Sequence, residues 1–162
     1  MLIGNPYKFC FLIERIPEWE GSYINGIMFV IVNGELYPKE VRTTTFNSEF
    51  PDILRPGSAF INPVNDKKLY DKRESELLSY IADVTYPKND TVLNDYRFLI
   101  FFHEINDSGY NFFILSNGEN IKILVGKWKN ENIEFVDKVI ISMQEYNLIK
   151  SQIIAFYKDG EF

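Results

Sequence analysis

The sequence predicts an α+β fold: a mostly antiparallel sheet, made of an N-terminal hairpin and a C-terminal four-strand meander, with a middle helix and a C-terminal amphipathic helix packed on the sheet. Three observations predict it. Aromatic residues make up 16% of the chain, with 14 Phe and 10 Tyr against 2 Trp, and such side chains suit the pleated, half-buried surface of a strand. The C-terminal half alternates apolar runs with very short loops, which join antiparallel neighbours; parallel neighbours need crossovers of about a dozen residues or more. Two further segments repeat apolar side chains at helical spacing. At 162 residues, 46% hydrophobic and 25% charged, the chain has the size and composition of one folded domain spanning residues 1–162.

The elements follow in order. The opening "MLIGNPYKFCFLIERI" sets a Gly-Asn-Pro turn ahead of an apolar run, and Pro6, with its fixed φ, is expected to deliver Tyr7 and Phe9 into a first strand that Pro17 stops. "EWEGSYING" is a polar loop. Ile27 to Val32 is a strand, Asn33-Gly34 supplies the positive φ of a type I′ turn, and Glu35-Leu36-Tyr37 starts the return. Pro38 cannot donate to a ladder, which puts that return strand at an edge or a bulge. Thr43 to Phe46 continues the extended chain, and a short helical turn near Phe50 to Leu54 interrupts a long connection punctuated by Pro51, Pro56, Gly57 and Pro63. Leu69, Leu77, Tyr80, Ile81 and Val84 predict one helix between Lys67 and Val84. Arg97 to Ile105, Tyr110 to Leu115, Ile121 to Trp128 and Ile133 to Ile141 are the meander strands, joined by "NDSG", "SNGEN" and "KNEN". Ser142 with Glu145 forms a capping box, and Tyr146, Ile149, Ile153 and Phe156 give the closing helix its apolar face.

Composition also bounds function. A net charge of −6 repels a phosphate backbone, so nucleic acid is not expected as a partner. The same sign suits a basic protein partner, although ordinary solubility is the plainer account of it. The single cysteine, Cys10, allows neither a disulfide framework nor a thiolate metal site and fits a reducing interior. Phe9 to Ile13 is too short for the apolar region of an export signal, and no segment has the length to span a bilayer, so a cytoplasmic protein is expected.

No residue pattern assembles a catalytic, cofactor or metal site. The single histidine, His103, lies beside Glu104 in "FLIFFHEIN"; if that run is a strand, the two point to opposite faces and do not cooperate. "GNP" lacks the spacing of a phosphate loop. The carboxylates Glu18 and Glu20, and Glu131 and Glu134, sit in or beside polar loops where solvation explains them. Trp19, between Glu18 and Glu20, either folds back over the sheet edge or stands out as an aromatic anchor for a basic partner.

"IGNPYKFCFLIERIPEW" followed by "NGIMFVIVNGELYPKEVRTTT" resembles the N-terminal part of the immunity protein 42 family of bacterial polymorphic toxin systems. The residues that carry the resemblance are Gly4, Asn5, Pro6, Tyr7 and Phe9, then Asn25, Gly26, Phe29, Asn33, Gly34, Tyr37, Pro38, Glu40, Arg42, Thr43 and Thr45. The resemblance implies a cytosolic protein, made beside a secreted toxin, that neutralises it by tight non-catalytic binding. It brings no catalytic residues, and the matched positions are expected to hold the fold. Contact with a basic toxin domain then falls to loops and variable surface, with Glu18, Trp19, Glu20, Tyr23, Glu131 and Glu134 as the candidates. The alternative is a small α+β enzyme or ligand-binding domain using His103 with Glu104, or the Arg42-Thr43-Thr44 stretch.

Overall fold

A computed structural model of the protein describes residues 1–19 and 21–159. Its first sheet opens with β1 (Leu2–Gly4) and β2 (Phe9–Arg15), paired antiparallel across the Gly-Asn-Pro turn. That turn therefore closes a hairpin instead of leading into the first strand, and Tyr7 sits exposed at its tip. Asn5 makes the turn: its side chain accepts the Tyr7 N–H and its carbonyl the Lys8 N–H, both at 2.9 Å. Gly4 has a φ of +109°, and a Cβ there would collide with the Phe9 carbonyl oxygen, so the position requires glycine.

β3 (Asn25–Val32) and β4 (Glu35–Tyr37) form the predicted hairpin, with Asn33 at φ 52° and Gly34 at φ 86°. β4 is an edge strand, as Pro38 requires. β5 (Thr44–Thr45) pairs with the other end of β3, and α1 (Phe46–Leu54) follows directly. Helix α1 begins at Phe46, where extended chain is expected from the sequence. Phe46, Phe50 and Ile53, at helical spacing, are all buried in the main core, and their burial outweighs the break that Pro51 suggests.

After β6 (Val64–Asn65) come α2 (Lys67–Tyr70) and α3 (Glu74–Thr85), where the sequence predicts one helix. The interruption has a tertiary cause. The ammonium of Lys122, a buried residue, donates to the Tyr70 carbonyl and lies 4.4 Å from the centre of the Tyr70 ring, so the C-terminus of α2 is anchored to the sheet; Arg73 then restarts the helix from an extended conformation.

The run from Arg97 to Ile105, expected as a strand, becomes β7 (Leu99–Ile100) and then α4 (His103–Asp107). A short apolar run does not reveal its own period. Here side chains take over the backbone groups: Asn106 accepts the Phe102 N–H at 2.7 Å, and Glu49 of α1 accepts the His103 N–H on its two carboxylate oxygens at 3.1 and 3.2 Å. β8 (Tyr110–Ser116), β9 (Asn120–Lys129) and β10 (Asn132–Ser142) complete the meander β7-β8-β9-β10, while β6 adds a parallel pairing to β8 that the sequence does not signal. The last helix, α5 (Met143–Asp159), carries the predicted capping box: Glu145 accepts the Ser142 N–H at 3.0 Å and Ser142 Oγ accepts the Glu145 N–H at 3.1 Å. Tyr146, Ile149, Ile153 and Phe156 are all buried.

The second sheet is covered on both faces. Phe112 and Ile114 of β8 enter the main core with β2, β3, α1 and α5, whereas Phe113 and Leu115 enter a second core with Leu77, Leu78 and Ile81 of α3. The two sheets are joined by Asn33, whose side-chain amide donates to Asp137 Oδ1 and to the Lys138 carbonyl, both at 2.9 Å, and by Tyr37, whose ring meets Tyr110 and Phe112 edge-on. Asn33 and Tyr37, which are among the residues that carry the family resemblance, sit at this joint.

Phe113→Ala should lower unfolding free energy by about 3–5 kcal/mol, seen as a lower urea midpoint with an unchanged m-value. Burial, reinforced by the carboxylates of Glu104 and Asp52, pushes Glu49 up from 4.5 to about 8 against the opposing backbone hydrogen bonds from α4. The folded chain then holds the Glu49 proton over a range in which the unfolded chain has released it, so stability should fall as pH rises from about 5 to 8, by at most about 1.4 kcal/mol per pH unit. Glu49→Gln keeps an acceptor for α4 and should flatten that slope in denaturation midpoints measured across pH; parallel slopes for the two proteins would contradict the assignment.

Candidate functional site

The β9–β10 hairpin runs past the face of α3, and the space between them is a groove of about 230 Å³. Along α3, Ser75, Leu78, Ser79, Ala82 and Asp83 recur at helical spacing and form one wall. Gly126 makes room within the hairpin for Ile133, whose side chain a Cβ there would overlap, and Leu78 of α3 lies over the same spot. Beyond that contact, strand alternation puts Trp128, Ile133 and Phe135 on the face that α3 covers, with Trp128 opposite Ile133 and Gly126 opposite Phe135. Trp128 remains 37% exposed and Phe135 44%.

Tyr86, just past the end of α3, stiffens the floor. Its ring meets Trp128 edge-on at 5.2 Å between centres, and its hydroxyl donates to Asn111 Oδ1 at 2.8 Å. Burial pushes its hydroxyl up to about 12, so it is a neutral hydrogen-bonding group at physiological pH. Charges line the rim. Lys88 donates to Asn132 Oδ1 at 3.0 Å, whereas Asp83 and Glu131 have no hydrogen-bond or ion-pair partner among the described residues.

The hairpin turn itself is conformationally unusual. Asn130 has a φ of 47° and Glu131 a φ of 65°. The β3–β4 hairpin solves the same problem with Asn33-Gly34; at Glu131 the Cβ makes this conformation cost about 1–2 kcal/mol relative to glycine. Strain of this kind concentrates at functional positions.

The sequence candidates fall in three places. Glu18 and Trp19 lie in a 3-10 helix (Pro17–Trp19) at the Asn25 end of β3, where Asn25 donates its side-chain amide to the Trp19 carbonyl at 2.9 Å. Trp19 is 45% exposed, and Tyr23 is exposed nearby, beside Thr45, Asn47 and Ser48. Glu20 lies outside the described residues. Glu131 is on the rim of the α3 groove in the other sheet. Glu134 alternates to the opposite face of the hairpin, where Lys129 pairs with it at 3.2 Å. Trp128, Phe135, Tyr86 and Asp83 are not legible as site residues from composition, although Trp128 stands just ahead of the "KNEN" turn and could have been noticed there.

His103 and Glu104 occupy the start of α4, not a strand. His103 Nε2 is 2.7 Å from Asp52 Oδ2, and Glu104 accepts from Arg42 Nε at 3.2 Å, with Glu40 on the same guanidinium at 3.4 Å. These pairs link α4 to α1 and to the chain after β4; they engage both the imidazole and the guanidinium in joining elements. Among the described residues no group of His, Cys, Asp and Glu is placed to hold a metal ion, and no helix is long and apolar enough to cross a membrane.

Comparison with solved structures finds the same fold in the crystal structure of CdiI from Burkholderia dolosa AUO158, at 21% sequence identity and a TM-score of 0.80, covering 96% of this chain and 99% of that one. Nothing matches among curated proteins. The family model for immunity protein 42 matches residues 1–156, well beyond the N-terminal quarter in which the sequence signature lies, and the chain belongs to that family.

Proposed function

We propose that this immunity protein acts in the cytoplasm, as a single domain, against a cognate toxin of a contact-dependent or secreted system. It binds the toxin domain tightly and blocks its active site or its access to substrate. The family match over residues 1–156 carries this reading and replaces the enzymatic alternative: an immunity protein is a binding protein, not a catalyst. The net charge of −6 supports a basic toxin domain as the partner, because complementary potentials speed encounter and disfavour wrong partners. The contact residues of this reading are Glu18, Trp19, Glu20, Tyr23, Glu131 and Glu134, of which the described ones are all exposed.

Co-expression provides the test. Cells producing the toxin domain encoded by the neighbouring gene should survive when this protein is present and die when it is absent; equal killing in both would sink the reading. At the level of residues, Trp19→Ala should weaken toxin binding several-fold while leaving the unfolding midpoint in place, and an unchanged affinity would remove Trp19 from the interface. Raising salt from about 50 to 500 mM should slow association at least tenfold with little change in dissociation, as expected for encounter between opposite charges.

A further inference from the structure

We propose that the groove between α3 and the β9–β10 hairpin is the principal toxin-docking surface, and that it receives an arginine or lysine side chain of the toxin at the Trp128 ring, flanked by Asp83 and Glu131. This rests on the immunity reading above and deepens it. Three independent observations converge on this groove. Half-exposed aromatic rings in a concave site, one of them backed by Tyr86 and hence held in place, have the character of binding hot spots, and the face of an indole attracts a cation.

The second observation is the distribution of charge. Of the carboxylates on α3 and the hairpin, Glu74 is paired with Lys138, Glu134 with Lys129 and Asp137 with Asn33, while Glu76, outside the groove lining, and Asp83 and Glu131, on its rim, are left without partners among the described residues. Lys88, the cation of the rim, is turned to Asn132. The third is the backbone of Glu131, which holds a carboxylate at the groove mouth in a conformation that glycine would adopt more easily. Other cavities fit a cationic partner less well. The cleft between β1 and α5 has its Lys8 and Glu145 already paired at 2.6 Å, and the apolar depression near Leu54 and Ile154 is bordered by Lys158.

The test uses the full chain and the purified toxin domain encoded by the neighbouring gene. With 5-fluorotryptophan in the otherwise wild-type chain and an unlabelled toxin, the two tryptophans give separate fluorine resonances, and that of Trp128, assigned by its loss in Trp128→Phe, should become at least threefold less accessible to a soluble paramagnetic agent when the toxin is added. Asp83→Lys combined with Glu131→Lys should weaken binding about 30-fold or more, the loss typical of hot-spot positions. Glu131→Gly should raise the urea midpoint by relieving the turn and still weaken binding, a combination that a purely structural role for Glu131 would not produce. Toxin binding with Trp128 accessibility unchanged and the double variant within twofold of wild type would overturn the inference and leave the immunity reading standing. Failure of the wild-type protein to bind would overturn both. Protection of Trp128 that grows with protein concentration in the absence of toxin would assign the groove to a second copy of this chain and equally overturn the proposal.

Discussion

Strand β8 is buried on both faces, and the rest of the molecule is arranged around that constraint. Tyr110, Phe112 and Ile114 point into one core, Phe113 and Leu115 into the other. Since side chains alternate with a period of two, slipping β8 by one residue would exchange the two sets and set each against the wrong partners. Phe112 would lose its edge-on contacts with Tyr37 and Phe102, and Phe113 its place against α3. Register is therefore specified from both sides. The position of α3 follows from it, and so does the groove that α3 makes with the hairpin.

Much of this was legible in the sequence, for local reasons. The Asn33-Gly34 turn, the Ser142–Glu145 capping box and the apolar face of α5 act within a few residues, and the structure contains each of them. What was not legible depends on side chains distant in sequence. Helix α4 exists because Glu49, 54 residues earlier, accepts its first N–H, and the break after α2 depends on Lys122, 52 residues later. Pro51 misled because its local preference is weaker than the burial of three aromatic and aliphatic side chains in α1. The opening Gly-Asn-Pro reads as a turn, but that it closes a hairpin is not legible, since Leu2–Gly4 is too short to show the alternation of a strand.

The same division applies to the site. Exposed carboxylates in loops can be named from sequence, but whether each is paired cannot. Glu134 and Glu131 are near neighbours in the chain, yet one is paired with Lys129 on one face and the other stands on the groove rim. Trp19, the more conspicuous tryptophan in the sequence, ends a single 3-10 turn on a connecting loop, whereas Trp128 is fixed in a strand and braced by Tyr86. A rigid ring loses less freedom on binding than one on a loop, which favours Trp128 as the anchor. Of the residues that carry the family signature, Asn33 and Tyr37 join the two sheets, which gives them a role in the fold.

The central claim is that toxin neutralisation is a binding event seated on the α3 and β9–β10 surface. Hydrogen–deuterium exchange of the intact protein, with and without the toxin domain encoded beside it, tests this most directly. Slowed exchange strongest over residues 75–86 and 126–136, with any change around residues 17–25 smaller, is the result expected. Protection confined to the β1–β5 sheet, or no protection at toxin concentrations that neutralise activity, would contradict it.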